Sequence, residues 1–140
     1  MKKIAFTLFL VLLCACTGNV GKRFQALTEP KEDEAIIYFY RPTSLGTLIH
    51  YTIKDEKGEK IQTIYKNSYY PYVTKDFGKR KFTAKTEATK SISFDVEAGN
   101  TYFVESGISF GIFVGRPNFK LIHDTDKAVR DLRKCNILLD

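Results

Sequence analysis

From residue 34 onward the chain consists of short apolar runs separated by turn residues, and this pattern constrains the fold more than any other feature. Residues 91–96 show it most clearly, because three apolar side chains alternate there with polar ones. A period of two places alternate side chains on opposite faces of a β-strand. Residues 97–100 then form a glycine-containing turn that leads into a second apolar run over residues 101–105. The two runs predict a β-hairpin.

The same reasoning predicts further strands over residues 35–41, 49–54, 60–65, 78–85, 110–114 and 118–122. Residues 35–41 are β-branched or aromatic on both faces, which is typical of a central strand buried on two sides. Residues 125–134 instead place apolar side chains at helical spacing, after Asp124 or Thr125 as the N-cap. We therefore predict a mainly β domain over residues 34–140. Its expected architecture is an antiparallel β-sandwich of about seven to eight strands with one short C-terminal helix.

The first fifteen residues have the pattern of a secretion signal. Two lysines precede an apolar run of about twelve residues, which gives only ~18 Å of helix. That length is too short for the ~30 Å hydrocarbon core of a bilayer. The small residues before Cys16 resemble a bacterial lipobox. This resemblance implies that residues 1–15 are a lipoprotein signal peptide and that Cys16 is lipidated with a thioether-linked diacylglycerol. Residues 16–33 then comprise the lipidated cysteine and a polar, flexible tether.

The net charge of +6 is local rather than spread over the chain. Two of the surplus lysines leave with the signal peptide, and residues 75–90 hold six basic and two acidic residues. Lys79, Lys81 and Lys85 share one face of the predicted strand, so they form a basic stripe. Such a stripe suits anionic headgroups, lipopolysaccharide phosphates or an acidic protein face, or it is simply a solvated surface. Because the protein is exported, we expect no nucleic-acid partner.

Four tyrosines lie close together in residues 65–72, where we expect a loop. On a loop, such rings would stack on sugar rings while the neighbouring asparagine and serine bind sugar hydroxyls. The alternative is that the rings close one end of the sandwich. The candidate binding residues are therefore Tyr69, Tyr70, Tyr72, Lys79 and Lys81.

No pattern in the sequence predicts an enzyme. The residues able to bind a metal ion are His50, His123, Asp124, Asp126 and Cys135. However, acidic residues at the start of a helix already serve its N-terminus. Residues 107–111 fit the letters Gly-x-Ser-x-Gly, yet a strand-like run follows them instead of the helix that a nucleophile elbow requires. We expect Cys135 to be a buried packing residue. The sequence thus predicts no catalytic residue, no cofactor and no metal site.

Three motifs follow one another at characteristic spacing: the lipobox before Cys16, Ile-Tyr-Phe-Tyr-Arg-Pro at residues 37–42, and Val-Glu-Ala-Gly-Asn-Thr-Tyr-Phe-Val at residues 96–104. In this order they resemble a family of small, uncharacterised bacterial lipoproteins, and the likeness covers residues 34–139. The resemblance implies a β-sandwich and a location in the cell envelope, and it implies no catalytic residues. The chain departs from that family at Phe77-Gly78, where the family has a Pro-Gly turn.

We therefore expect a non-enzymatic protein that is lipid-anchored in the bacterial envelope through Cys16 and binds a protein or glycan partner. The alternative is a structural accessory subunit of an envelope assembly, with no small-molecule ligand. Thr17 stands where some enteric lipoproteins carry the aspartate that retains them at the inner membrane. We therefore expect the outer membrane in an organism that has one.

Overall fold

The computed structural model describes residues 20–110 and 115–140. The predicted signal peptide, Cys16 and the first residues of the predicted tether lie outside the described residues. The strands are β1 (Val20–Arg23), β2 (Ala35–Arg41), β3 (Tyr51–Lys54), β4 (Lys60–Ile64), β5 (Ser68–Thr74), β6 (Gly78–Lys85), β7 (Thr89–Val96), β8 (Thr101–Phe110), β9 (Gly115–Ile122) and β10 (Asn136–Leu138). One helix, α1 (Thr125–Leu132), precedes β10.

The strands form two sheets. Sheet A has six strands in the order β1-β10-β5-β2-β8-β9, and sheet B has four in the order β4-β3-β6-β7. Sheet B is antiparallel throughout, whereas in sheet A β2 runs parallel to β8 and β10 runs parallel to β5. The prediction of a mainly β domain with one short C-terminal helix is confirmed. The predicted antiparallel pairing is wrong for sheet A, which is mixed, and the described residues form ten strands instead of the predicted seven to eight.

The two sheets pack face to face around an aromatic core. Phe39 of β2 meets Phe82 of β6 edge to face, with 5.2 Å between ring centroids, and Phe94 of β7 lies 5.6 Å from Phe82. All seven residues of β2 are buried, as predicted for a central strand. Alternate side chains of β2 therefore face two different cores.

The second core covers the other face of sheet A. Tyr38 of β2 stacks on Phe103 of β8 at 5.8 Å, and Leu132 of α1 is fully buried in the same cluster. Phe24, which follows β1, also belongs to this cluster and is 3% exposed. The molecule therefore has three layers: sheet B, sheet A, and a layer made by α1 with the segment after β1.

The folded part begins earlier than predicted. β1 lies inside the residues expected to be a flexible tether, and its Val20 pairs with Leu138 of β10. The buried Phe24 ties the following segment to sheet A as well. The boundary predicted at residue 34 is therefore wrong, because non-local pairing orders a four-residue strand whose sequence has no apolar alternation. β10 was not predicted either, because this three-residue strand is also defined by non-local pairing, with β1 and β5.

Helix α1 begins as the sequence predicts. The Asp124 carboxylate accepts a hydrogen bond from the Lys127 backbone N–H at 2.9 Å, which identifies Asp124 as the N-cap. The helix ends at Leu132, two residues before the predicted end. Within residues 20–110 and 115–140, no helix has the length and apolar character needed to cross a bilayer.

The β8–β9 hairpin differs from the prediction in one respect. β8 continues to Phe110 instead of ending near residue 105, so Phe110 does not begin a new strand. The rest of the strand predicted over residues 110–114 lies outside the described residues. Ser109 of the Gly-x-Ser-x-Gly coincidence is paired in β8 opposite Arg116 of β9. Ser109 therefore lies in a hairpin and not in a nucleophile elbow.

Candidate functional site

The basic stripe predicted on β6 is present. Lys79, Lys81 and Lys85 are exposed on the outer face of sheet B, while the alternate residues Arg80, Phe82 and Ala84 are buried. Lys54 of the neighbouring strand β3 pairs with Thr83 of β6 and lies on the same face. We call Lys54, Lys79, Lys81 and Lys85 the lysine face.

Two of the other basic residues near this stripe are neutralised by acidic partners. Arg80 is buried and donates from Nε to the Glu56 carboxylate at 2.6 Å, and its Nη1 lies 3.7 Å from Asp76. Lys75 pairs with Asp33 at 2.6 Å, and the bonded ammonium lowers the pKa of that carboxyl. Within the described part of the chain, none of the four residues of the lysine face forms an ion pair.

A groove of about 490 Å³ lies where the lysine face meets the end of β3. The residues that line it are His50, Tyr51, Thr52, Lys54, Thr83, Lys85, Thr86 and Thr89. His50 ends the loop before β3, and the others come from β3, the end of β6, the turn after it and the start of β7. The lining has two lysines, four threonines and no acidic side chain. We call this cavity the sheet B groove.

Local contacts fix the walls of the sheet B groove. The His50 ring stacks on the Tyr65 ring, with 5.2 Å between centroids and a tilt of 24°. The Thr52 and Thr63 hydroxyls share a hydrogen bond of 2.9 Å, and the Thr86 hydroxyl donates to the Gly115 carbonyl at 3.0 Å. The groove thus combines cations and hydroxyls with one flat pair of rings.

This set of groups binds anions and sugars more readily than it performs acid–base chemistry. Ammonium groups and hydroxyls donate hydrogen bonds to phosphate or carboxylate oxygens, and a flat ring packs against the face of a sugar. Among the candidate metal ligands, His50 lines the groove while Asp124 caps α1. In the described ranges, no three His, Cys, Asp or Glu side chains come close enough together to hold a metal ion.

The predicted tyrosine loop is a strand. The turn comprises Lys66 and Asn67, where Asn67 has a positive φ of 47°, and β5 begins at Ser68. The Ser68 hydroxyl donates to the Tyr65 carbonyl at 2.7 Å and closes the turn. The polar residues that indicated a loop therefore form only the bend before β5.

The three candidate tyrosines alternate across sheet A. Tyr69 is 8% exposed and packs edge to face on Phe24 at 5.5 Å, in the core beside α1. Tyr70 and Tyr72 are half-buried and pack against the core between the sheets. The Tyr70 hydroxyl donates to the Asp140 carboxylate at 3.1 Å. These contacts favour the packing role that the sequence left open.

The structure does not bring the tyrosines and the lysines into one surface. Tyr72 lies 6.3 Å from the inward-pointing Phe82 ring, whereas Lys79 and Lys81 project from the opposite face of β6. The groove residues His50, Thr52 and Lys54 were missed. Alternation along β3 predicts that Thr52 and Lys54 face outward, but only the pairing of β3 with β6 places them beside the lysine stripe.

Arg41 is a second residue that the sequence analysis missed, and it fixes the β2–β3 loop (residues 42–50). Its side chain is fully buried, with Nη1 donating to the Ile49 carbonyl at 2.6 Å. Nη2 donates to the carbonyls of Leu45 and Gly46. Burial lowers the pKa of the Arg41 guanidinium. The loop that Arg41 holds leads directly to His50 and the sheet B groove.

Cys135 is buried, as predicted. It is 0% exposed and its thiol donates to the Asp131 carbonyl at 3.6 Å. Burial raises the pKa of the Cys135 thiol to about 12. The residue lies after the end of α1 and not on the helix face, yet it packs in the same core.

Comparison with known proteins adds little to this geometry. No family model matches the chain. A protein of Haemophilus influenzae described as an uncharacterized protein is similar to it. The two are 26% identical over 137 residues, which covers 87% of this chain and 77% of the relative. No solved structure matches. The arguments about function therefore rest on the sequence and on the described residues.

Proposed function

We propose that this chain is a non-enzymatic, lipid-anchored protein of the bacterial envelope that binds an anionic glycan in the sheet B groove. The observation that carries the proposal is the composition of the groove. Lys54 and Lys85 line a cavity without acidic side chains, and neither lysine forms an ion pair within the described residues. Exposed cations without acidic partners attract anionic ligands over distances of about 10 Å.

The other groups of the groove favour a glycan over a simple anion. Four threonines supply hydroxyls that exchange hydrogen bonds with sugar hydroxyls, and the His50–Tyr65 pair offers a flat surface beside them. The cavity of about 490 Å³ is in the size range of small-ligand sites. Lys79 and Lys81 extend the positive surface along β6, so a longer phosphorylated glycan would continue past the groove.

The lipid anchor rests on the lipobox before Cys16 and on the short apolar run before it. A single acyl chain binds a bilayer only reversibly, whereas two or three chains hold a protein there. Thr17 favours sorting to the outer membrane. Mass spectrometry of the membrane-extracted chain tests this part, because the mature protein should begin at an acylated Cys16. Two observations together would contradict the anchor: the Cys16→Ser variant stays in the membrane fraction, and the parent protein carries no acyl group.

Glycan binding is tested by calorimetric titration of the full chain with a phosphorylated oligosaccharide released from lipopolysaccharide. We expect Lys85→Ala to weaken binding about tenfold, since one hydrogen bond to a charged group contributes about 1.5 kcal/mol. Lys66→Ala, which removes the same charge from the β4–β5 turn, should leave the affinity unchanged. The dephosphorylated oligosaccharide should bind far more weakly than the parent.

Two results would speak against glycan binding. One is equal affinity of the Lys85→Ala and Lys66→Ala variants, because the groove would then not be the contact surface. The other is no binding of either oligosaccharide together with co-purification of a fixed protein partner from membranes. That second result would favour the structural accessory subunit.

A further inference from the structure

Three large apolar side chains project from one end of the fold. Leu48 is 92% exposed, Phe110 is 57% exposed and Leu45 is 54% exposed. We call them the apolar tip. We propose that the apolar tip docks this end of the domain onto a bilayer surface that contains anionic lipids. This inference goes beyond glycan binding: the three apolar side chains lie outside the lining of the sheet B groove, and Lys85 is the one charged residue common to both proposals.

The apolar tip is a single surface because its two segments contact each other. Gly46 of the β2–β3 loop lies so close to Ile108 of β8 that a Cβ atom there would meet Ile108 Cγ2 at 3.3 Å. Gly115, which pairs with Phe110, lies against the Ile49 side chain. The loop that carries the two leucines is therefore seated on the end of the β8–β9 hairpin.

The leucines are held outward by a rigid support. Three carbonyls of the β2–β3 loop, those of Leu45, Gly46 and Ile49, accept hydrogen bonds from the buried Arg41 guanidinium. The Ile49 N–H also donates to the Gly46 carbonyl at 2.8 Å. A loop fixed in this way loses little conformational entropy when a partner covers it. Exposed leucines on such a loop favour an apolar partner, because moving their apolar surface out of water lowers the free energy.

Basic residues surround the apolar tip, and their positive charge favours a partner with an anionic surface. Arg116 is exposed next to Gly115, and Lys85 and Lys90 flank the β6–β7 turn, where Thr86 contacts the Gly115 carbonyl. One acidic residue, Glu87, lies in the same turn, so positive charge dominates. Apolar side chains surrounded by basic ones match a bilayer surface with anionic headgroups. A second copy of the chain fits less well, because the two basic rims would repel each other.

The opposite end of the fold provides a matched comparison. Val73 is 50% exposed and Phe77 is 43% exposed, so apolar exposure alone does not distinguish the two ends. Val73 pairs with Ile36, five residue pairs away from the Arg41 end of sheet A. Its neighbour Lys75 is already paired with Asp33, and Asp76 is exposed nearby. The cation next to Val73 is thus already neutralised, whereas Lys85, Lys90 and Arg116 form no ion pair within the described residues.

The chain has no tryptophan, so a single introduced tryptophan reports on its own position. We would place the full-length protein carrying Leu48→Trp, or Val73→Trp as the control, on vesicles of phosphatidylcholine and phosphatidylglycerol with brominated acyl chains. Bromine quenches a ring that enters the acyl region. We expect about twofold quenching for Leu48→Trp and almost none for Val73→Trp. Phe110→Trp provides a second reporter and should behave as Leu48→Trp does.

Several results would overturn the proposal. Unquenched emission from both tip reporters on vesicle-bound protein would show that the apolar tip stays in water. Equal quenching of Val73→Trp would show adsorption without a preferred face, and equal quenching on purely zwitterionic vesicles would remove the role of the cations. A concentration-dependent blue shift without lipid would mean that a second copy covers the tip. The oligosaccharide titration contains no bilayer, so failure of glycan binding is distinguishable from each of these results.

Discussion

Arg41 is a buried cation that backbone carbonyls, and not a carboxylate, accommodate within the described residues. Its Nε is buried without a hydrogen-bond partner there, so the site already carries a desolvation cost. The guanidinium fork bonds three carbonyls at once, which a single ammonium group cannot reproduce from the same backbone position. Arg41 of the Tyr-Arg-Pro motif therefore determines how the β2–β3 loop is held.

We predict that Arg41→Lys lowers the free energy of unfolding by about 2 kcal/mol, because at least one of the three partly buried hydrogen bonds to the loop carbonyls is lost. Urea denaturation of the full chain measures this effect. Hydrogen exchange in the β2–β3 loop should also become faster. Arg116→Lys is the matched control, since Arg116 is exposed and its replacement should change stability by less than about 0.5 kcal/mol. Equal urea midpoints for the two variants would show that the hydrogen bonds of the Arg41 guanidinium do not stabilise the β2–β3 loop.

Among the elements, β6 and β5 show what sequence reasoning can and cannot reach. The outward lysines of β6 follow from a period of two alone, and their shared face was predicted and is confirmed. Tyrosines lie on both faces of β5, so its sequence shows no apolar–polar alternation that would distinguish a strand from a loop. β5 is a strand because it pairs with β2 along seven residues and with β10 on its other side. Such non-local pairing is invisible in a local pattern.

Strand β1 and the segment after it give a test at the scale of the element. We predict that Phe24→Ala destabilises the fold by about 3 kcal/mol, the usual cost of removing a buried aromatic ring. Val20→Ala, at an exposed position of β1, should cost less than about 1 kcal/mol. Thermal unfolding measures both variants. A Phe24→Ala variant as stable as the parent would mean that the segment is the flexible tether after all.

Helix α1 predicts a dependence of stability on pH. Burial alone would raise the pKa of the Asp131 carboxyl, but hydrogen bonds from Lys127 and Lys134, each 2.8 Å long, lower it overall. A carboxyl whose pKa is lower in the folded state stabilises the fold above its unfolded pKa of about 4. That contribution is lost as the pH falls below about 4 toward the folded-state pKa.

Asp131→Asn should therefore reduce stability at pH 7 by about 1 kcal/mol and leave stability less dependent on pH between about 5 and 2. Urea denaturation at a series of pH values measures this change. Glu87→Gln is the control, because Glu87 is an exposed carboxylate without an ion pair in the described ranges. If both variants change the loss of stability at low pH equally, the hydrogen bonds from Lys127 and Lys134 to Asp131 do not stabilise the fold.

For the whole molecule, the layered arrangement decides which faces are available for binding. Sheet A is covered on both faces, by sheet B and by the layer that contains α1, so its aromatic residues serve packing. Within residues 20–110 and 115–140, sheet B is covered on one face only, and its other face carries the lysines and the groove. The charge was predictable from β6, but the groove also needs β3 beside β6 and the loop that Arg41 fixes.

Hydrogen–deuterium exchange of the full chain with and without the phosphorylated oligosaccharide tests the central claim most directly, because it locates the ligand on the fold. We predict slower exchange in peptides that cover β3 and residues 83–89, where the groove is lined, and no change in β5. The dephosphorylated oligosaccharide should produce neither effect. Protection in β5 without protection in β3 would contradict the account and return the binding site to Tyr69, Tyr70 and Tyr72.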